Sequence, residues 1–432
     1  MRFEVRPDER RALGWSLLYI FAVLSAYYVL RPIRDEMGVH GGVEKLPWLF
    51  TGTLLAMVAV NPLFALAVKR LPRRRFIAWS YRFFAANLVA FAALFAAATP
   101  EQNVWLGRAF FIWASVFNLF VVSVFWALMV DVFTSEQGKR LFGFLAAGAT
   151  LGAIAGSSLT AALVGQVGTT MLLFASVVLL EVAVFAVARL SGLAEKLAQR
   201  PAAEAEQPLG GSVLAGISHT LRSPYLLNVC LFMVLFTVTA TYLYFQQATI
   251  ARDYFADRAA RTAFFARVDL VVNLLTLAIQ LFLTAHLLRK LSVALTLAIL
   301  PLVSLAGFAV LAAAPVMAAV VIVQVLRRAA NFALARPARE LLYTVIPRED
   351  KYKAKTFIDT VVYRAGDQVG SWSYVGLGAL GLGIGGVALA AVPLSAAWVA
   401  SSLWLGRRQA RLAAQRDGAP GAHREHEHPA LR

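Results

Sequence analysis

The chain has 432 residues, of which 59% are hydrophobic and only 15% are charged, whereas a soluble domain carries about 25% charged residues. This deficit of charge excludes an ordinary water-soluble protein and predicts that lipid is the main solvent. The net charge of +17 could indicate a nucleic-acid partner, but in a membrane protein the surplus Lys and Arg collects in cytoplasmic loops. We therefore expect a lipid bilayer, and no nucleic acid, as the partner.

Twelve apolar stretches follow one another along the chain, each close to the 20 or so residues that span a bilayer. They cover residues 14–33, 46–68, 76–98, 104–130, 141–164, 168–189, 225–248, 264–287, 292–313, 315–335, 356–382 and 386–405. The sequence therefore predicts an all-α, polytopic membrane protein with about twelve transmembrane helices. The first stretch is followed by no small-residue cleavage site, so we expect an uncleaved helix rather than a signal peptide.

Basic residues alternate between the loops, as the positive-inside rule requires. The loops predicted to be inside carry them, beginning with residues 69–75, and most loops predicted to be outside are short and nearly uncharged. Two outside loops depart from the pattern with mixed charges, those after the first and seventh helices. The alternation predicts a multi-pass protein of a bacterial inner membrane with both termini cytoplasmic.

A polar segment divides the helices into two sets of six. We predict a cytoplasmic N-terminus (1–13), an N-terminal six-helix bundle (14–190), a cytoplasmic linker (191–222), a C-terminal six-helix bundle (223–405) and a disordered cytoplasmic tail (406–432). This arrangement resembles the major facilitator superfamily, whose two halves are parallel repeats.

Ionisable residues at membrane depth are costly, and each is a candidate for function. In the first helix, Arg31 and Arg34 flank Pro32. In the tenth, Arg327 and Arg328 lie about a dozen residues from Pro315, which is near mid-membrane at about 1.5 Å per residue. The alternatives are surface charges with local pairs, such as Arg31 with Asp35, for the first helix, and structural pairing with helix eleven for the tenth.

The eleventh helix carries polar residues at every fourth position. They are Lys355, Asp359, Tyr363 and Asp367, with Arg364 beside them. On a regular α-helix this spacing predicts one polar stripe. Four other charged residues at depth are interpreted as single residues that snorkel to an interface: Arg82, Arg108, Glu181 and Asp269.

Small residues in the fifth helix predict a packing surface. Gly148, Gly152 and Gly156 are spaced four apart, as in helices whose backbones approach closely. The single cysteine, Cys230, excludes an intramolecular disulfide and a multi-cysteine metal site. No catalytic triad or phosphate-loop signature is present, so we expect no enzyme, no cofactor and no metal.

Three segments resemble the ATP/ADP translocase family of plastids and intracellular bacteria, a branch related to the major facilitators. They are residues 27–35, residues 125–142, and residues 336–359 with Arg364. The last contains a Pro-x-Arg-Glu-x-x-Tyr run where the family has Pro-x-Lys-Glu-x-x-Tyr, then a loop with spaced lysines and an Ile-Asp pair. The resemblance covers about a quarter of the chain.

Carried over by position, the resemblance implies that Arg34, Glu340 and Lys355 bind substrate or gate its passage. Two positions depart from the family: apolar Ala114 replaces an acidic residue, and Asp367 replaces a lysine. The resemblance therefore implies transport of a nucleotide or another phosphorylated compound, without requiring ATP/ADP exchange.

These observations predict a secondary active transporter that moves a small anionic solute by alternating access. Arg34, Arg327, Arg328 and Arg364 would bind the anion, because Arg is the preferred bidentate partner of phosphate and carboxylate. Glu340, Lys355, Asp359 and Asp367 would couple or gate, with a proton or a counter-anion as the coupling species. The alternatives are a non-transporting sensor or assembly protein on a transporter scaffold, and a transporter of an anionic lipid.

Overall fold

A computed structural model describes residues 5–7, 9–70, 73–197, 220, 223–346, 354–355 and 357–417. The regular helices are α1 (Arg10–His40), α2 (Leu46–Arg70), α3 (Arg73–Ala97), α4 (Pro100–Val132), α5 (Ser135–Leu197), α6 (Pro224–Tyr254), α7 (Arg258–Ile279), α8 (Ala285–Lys290), α9 (Val293–Ala313), α10 (Met317–Ala330), α11 (Arg336–Leu342), α12 (Tyr363–Ala379) and α13 (Ile384–Asp417). Short π-helical turns lie at Gln280–Thr284, Asn331–Ala335 and Ile358–Val362, and a 3₁₀ turn lies at Val43–Lys45. No strand occurs in these ranges.

The described residues contain ten helices long and apolar enough to cross a membrane. One of them, α5, joins the predicted fifth and sixth spans across Gly168, whose backbone is not helical (φ 74°). The predicted eleventh span coincides with the π turn at Ile358–Val362 and the short helix α12. The all-α polytopic fold with about twelve membrane helices is therefore confirmed.

Helix α1 is longer than the predicted span of 14–33. It begins at Arg10 and continues through Pro32 to His40, because one proline removes a single backbone hydrogen bond, a loss that membrane helices tolerate. Arg31 and Arg34 consequently lie within the helix rather than at its end. Asp35 and Glu36, predicted as loop residues, are buried side chains of the same helix.

Helix α13 extends the last predicted span in the same way. It runs to Asp417, so residues 406–417 of the predicted disordered tail are helical. The segment after Arg407 is rich in Ala, Gln, Leu and Arg, all good helix formers. The rest of the tail, and the linker residues 198–219, lie outside the described residues.

The chain divides into two compact units. One consists of Met1–Ala205 with Phe245–Leu277, and the other of Glu206–Tyr244 with Ala278–Arg432. The first unit thus includes parts of α6 and α7, which the sequence places in the C-terminal half. The predicted boundaries of the two halves stay a prediction.

Helices α1 and α5 pack closely in the first unit, as the glycine spacing predicts. A Cβ on Gly152 would lie 2.5 Å from the Phe21 carbonyl oxygen and 3.0 Å from its Cα. Gly156 faces the Ser25 carbonyl oxygen in the same way, and Gly148 faces the Leu17 side chain. The Ser25 hydroxyl donates to the Gly152 carbonyl oxygen at 3.0 Å. The packing prediction is confirmed, and close contact with α1, through its backbone at Gly152, explains these glycines.

We expect Gly152→Ala to lower the free energy of unfolding by about 1–3 kcal/mol, because the added methyl group overpacks a backbone contact. Gly143→Ala, on the same helix, is the matched control, since nothing lies within 4 Å of its Cβ position. The control should be neutral or slightly stabilising. Thermal unfolding of the purified variants in detergent measures both, and equal shifts would contradict the close packing.

Candidate functional site

A network of buried ion pairs lies in the first unit, at the end of α1. Arg31 Nη1 and Asp269 Oδ1 of α7 are 2.6 Å apart, with the side chains 15% and 3% exposed. Glu36 accepts from Arg261 Nη2 at 2.9 Å and from Arg258 Nη2 at 3.1 Å. Arg31, Glu36, Arg258, Arg261 and Asp269 are called the α1–α7 network below. It joins the first predicted half of the chain to a helix of the second.

The sequence interpretation missed this network. Its alternative for the first helix gave Arg31 with Asp35 as an example of a local pair, whereas Asp35 accepts from Arg34 at 2.6 Å, and it treated Asp269 as a single residue. The signal was present in the mixed charges of the loops after the first and seventh spans. The ion pair of Glu36 with Arg258 joins the two loops, whereas Arg34–Asp35 and Arg252–Asp253 pair within them.

Three other residues predicted to be single also have partners in the structure. Arg82 and Glu181 lie 3.6 Å apart, both substantially exposed. Arg108 donates to the Gly41 carbonyl oxygen at 3.1 Å and stacks on Trp105. The interpretation of these residues as single is therefore wrong, because partners far apart in sequence meet between packed helices. That they snorkel to an interface stays a prediction.

Arg34, the one predicted anion-binding residue in the first unit, is mostly buried beside Asp35. Its guanidinium lies 5.2 Å from the centre of the Phe111 ring. The other predicted binding residues, Arg327, Arg328 and Arg364, belong to the second unit.

Arg327 is a buried cation held by neutral groups. Its Nε donates to Ser304 Oγ at 2.9 Å, and its Nη2 donates to the Phe236 carbonyl oxygen at 2.9 Å and to Thr239 Oγ1 at 2.8 Å. The rings of Phe236 and Trp398 lie 5.4 and 5.7 Å from the guanidinium. No described carboxylate pairs with Arg327, and its Nη1 makes no hydrogen bond to a described residue. The charge is therefore solvated by dipoles and rings but not neutralised.

Ion pairs connect α11 to the segment before α12. Lys355 Nζ and Glu340 Oε2 are 2.5 Å apart, and Arg339 Nη2 lies 3.7 Å from Asp359 Oδ1. The sequence left open whether the tenth and eleventh spans pair structurally. They do, through Glu340 with Lys355 and Arg339 with Asp359. Arg339 was not among the predicted site residues, although it precedes Glu340 directly.

Asp367 is paired within its own helix. Its Oδ2 lies 3.3 Å from Arg364 Nη1, one turn earlier, and the residue is 8% exposed. The π turn at Ile358–Val362 changes the register before α12, so the four-residue spacing does not produce the uniform stripe of a regular α-helix. Tyr363, which begins α12, contacts Phe236 with ring centres 6.2 Å apart, and Phe236 also contacts Arg327.

The structure brings the predicted residues of the second unit into two neighbouring groups. One contains Arg327 and, through the Phe236 and Tyr363 rings, the Arg364–Asp367 pair. The other contains the Glu340–Lys355 pair with Tyr343, whose ring lies 5.7 Å from Lys355 Nζ. Arg328 follows Arg327 on α10 and is partly buried. Among the described residues, no group of three or more His, Cys, Asp or Glu could hold a metal ion.

Solved structures of transporters share this fold. The inward-open xylose transporter XylE from E. coli has a TM-score of 0.62 and 11% identity, over 93% of this chain and 98% of that chain. The nucleoside transporter NupG has a TM-score of 0.58 and 14% identity, over 94% and 99%. A bacterial homologue of the iron transporter ferroportin, in an inward-facing state, has a TM-score of 0.61 and 12% identity, over 93% and 98%. At such identities the likeness shows the fold alone.

The sequence comparisons lead to the same fold by an independent route. No curated protein sequence matches the chain. The family model described as Major Facilitator Superfamily matches residues 12–346, which is more than half of the chain. The protein is therefore a multi-pass membrane protein of the transporter type that belongs to the Major Facilitator Superfamily.

Proposed function

We propose that this secondary transporter moves a small anionic solute, of the class of nucleotides and other phosphorylated compounds. The uncompensated charge of Arg327 carries this proposal. Arg31, Arg34, Arg364 and Lys355 each lie beside a carboxylate, which cancels most of their attraction for an anion. Among the described residues, Arg327 instead contacts neutral oxygens and aromatic rings and no carboxylate, so a positive potential remains in a low-dielectric interior.

The chemistry of Arg327 favours a phosphate or carboxylate group. A guanidinium presents five N–H donors in a planar fork, and three donor contacts from Nε and Nη2 hold this one in a fixed orientation. The remaining nitrogen, Nη1, is the group that would donate to a substrate oxygen. The resemblance to the ATP/ADP translocase family narrows the anion to a phosphorylated compound.

Uptake into proteoliposomes tests the substrate class. We expect labelled nucleotides or organic phosphates to accumulate, and the corresponding uncharged nucleosides or sugars to be transported at least about tenfold more slowly, because they lack the charge that Arg327 would bind. Liposomes without protein are the control. Equal transport of the phosphorylated and uncharged partners, or no transport of either, would contradict the proposal.

We further propose that Asp367 carries the coupling proton. Its ion pair is with Arg364 on the same helix. Gly366 and Gly370, one residue before and three residues after it, face the uncharged Thr237 and Thr241 of α6. Protonation would release Arg364 for a substrate anion while the proton neutralises the carboxylate. The proton and the substrate anion would thus enter and leave the site together.

Asp367→Asn imitates the protonated form and should uncouple transport from the proton gradient. We expect uptake by wild-type protein to rise when the outside is acidic, and uptake by the variant to be the same with and without the gradient, while exchange of substrate for substrate continues. Asp253→Asn, at an exposed pair with Arg252, is the control. A variant that keeps the wild-type response to pH would exclude Asp367 as the proton carrier.

A further inference from the structure

A cavity of about 410 Å³ opens at one end of the second unit, away from the residues proposed to bind the solute. Its walls come from the start of α6, from the residues after α11 and from the last turns of α13. Tyr225 secures this arrangement, because its hydroxyl donates to the Leu342 carbonyl oxygen at 2.9 Å. The cavity is therefore part of the packed fold rather than a gap in a loop.

The charge around the cavity is positive. Arg408 and Arg411 of α13 both line it and stand one turn apart, on the same face of the helix. Neither makes an ion pair or a hydrogen bond with a described residue, and the described residues of the lining include no carboxylate. Ser223, also in the lining, accepts from the Leu226 amide at 3.4 Å, so the positive end of the α6 dipole lies at the same wall. Such a site attracts an anion.

The position of the cavity along α13 identifies the source of that anion. The helix has 34 residues, about 51 Å at 1.5 Å per residue, and exceeds a hydrocarbon core of about 30 Å. Trp404, 42% exposed and in the cavity wall, is the residue type that concentrates at the membrane–water interface. Arg408 and Arg411, one and two turns further on, then lie at the level of the lipid phosphates.

Apolar surface for a lipid chain adjoins the same region. Leu227 and Leu231, one turn apart on α6, are 42% and 47% exposed, and α6 begins in the cavity wall. A soluble phosphate has no apolar part that would contact this surface, whereas a phospholipid has both a charged phosphate and an acyl chain. We propose that the headgroup phosphate of an anionic phospholipid binds in this cavity, between Arg408 and Arg411.

A phospholipid bound in this cavity would stabilise the packing of α6, α13 and the residues after α11 at the membrane surface. A ligand that binds only the folded form stabilises it, so this phospholipid would act as a structural ligand of the second unit. It is not the transported solute, and the proposal does not depend on the identity of that solute.

The test uses the purified full-length protein in a neutral detergent. Phosphatidylglycerol is the probe, phosphatidylcholine the zwitterionic control lipid, and thermal unfolding and native mass spectrometry the measurements. We expect phosphatidylglycerol to raise the unfolding temperature and to remain bound, and its affinity to fall about tenfold or more in Arg408→Ala/Arg411→Ala, since each arginine near the lipid surface contributes substantially. Arg407→Ala should bind like the wild type, because Arg407 is exposed on the same helix but outside the cavity lining.

A charge-conserving variant separates lost binding from a folding defect. Arg408→Lys/Arg411→Lys should retain more affinity for phosphatidylglycerol than the alanine variant. The proposal is overturned if Arg407→Ala weakens binding as much as the double alanine variant, or if the lysine variant is no better than the alanine one. It is also overturned if phosphatidylcholine or inorganic phosphate stabilises the protein as much as phosphatidylglycerol does.

Discussion

Arg327→Gln is expected to lower uptake of a phosphorylated solute by about ten- to a hundredfold, because a hydrogen bond from a charged group contributes about 1.5–3 kcal/mol. Glutamine keeps an amide donor near the three acceptors, Ser304 Oγ, the Phe236 carbonyl oxygen and Thr239 Oγ1, but it removes the positive charge. The loss should appear mainly as a raised KM if Arg327 contacts the solute, since binding would be weakened in every state of the cycle. Initial uptake rates in proteoliposomes over a range of solute concentrations measure this.

Two further variants separate charge from structure at this position. Arg327→Lys keeps the charge but cannot reach all three acceptors, so it should recover part of the uptake that the glutamine variant loses. Arg336→Ala is the control. It removes an exposed cation at the start of α11 that stacks on Phe332, and this variant should transport at nearly the wild-type rate. Wild-type uptake by Arg327→Gln would exclude Arg327 from the substrate site. A thermal unfolding profile for each variant shows that it is folded.

Asp269→Ala is expected to lower the free energy of unfolding by about 3–5 kcal/mol, the usual effect of removing one partner of a buried ion pair. The Arg31 guanidinium, only 15% exposed, would then remain in the interior without its counter-charge. The change should appear as a large fall in the thermal unfolding temperature in detergent. Asp253→Ala, which breaks an exposed pair with Arg252, is the control and should change stability by less than about 1 kcal/mol.

A neutral pair tests whether the effect comes from the unpaired charge. In Arg31→Met/Asp269→Leu both charges are replaced by apolar groups, a change that is often neutral or stabilising for a buried pair. We expect the double variant to recover most of the stability lost by Asp269→Ala. If it is no more stable than the single variant, the α1–α7 network does not stabilise the fold through this pair.

The membrane spans could be predicted from the sequence because their signal is local. About 20 consecutive apolar residues suffice to identify one span, and the alternation of basic loops checks the count. The ends were less accurate: α1 passes through Pro32 and α13 continues to Asp417. A helix end depends on packing and capping, which a hydropathy window does not contain.

The partners of the charged residues could not be predicted in the same way. Arg31 and Asp269 are 238 positions apart in sequence, so no local spacing relates them, and the one partner that the sequence suggested for Arg31 was the nearer Asp35. Lys355 and Glu340 are only 15 positions apart, and both lie between the predicted tenth and eleventh spans, so the sequence offered structural pairing of these spans as an alternative. The π turn at Ile358–Val362 also has no clear sequence signal, although it changes the register of Asp367.

Composition and periodicity by themselves determined that this protein lies in a membrane as about twelve helices with several arginines at depth, since burial in lipid is decided residue by residue along the chain. Only the tertiary structure decided which of those arginines are neutralised. It paired Arg31, Arg34 and Arg364 with carboxylates and left Arg327 among neutral oxygens. The electrostatic effect of a buried charge depends on the groups within a few ångströms of it, and packing between distant segments brings those groups together.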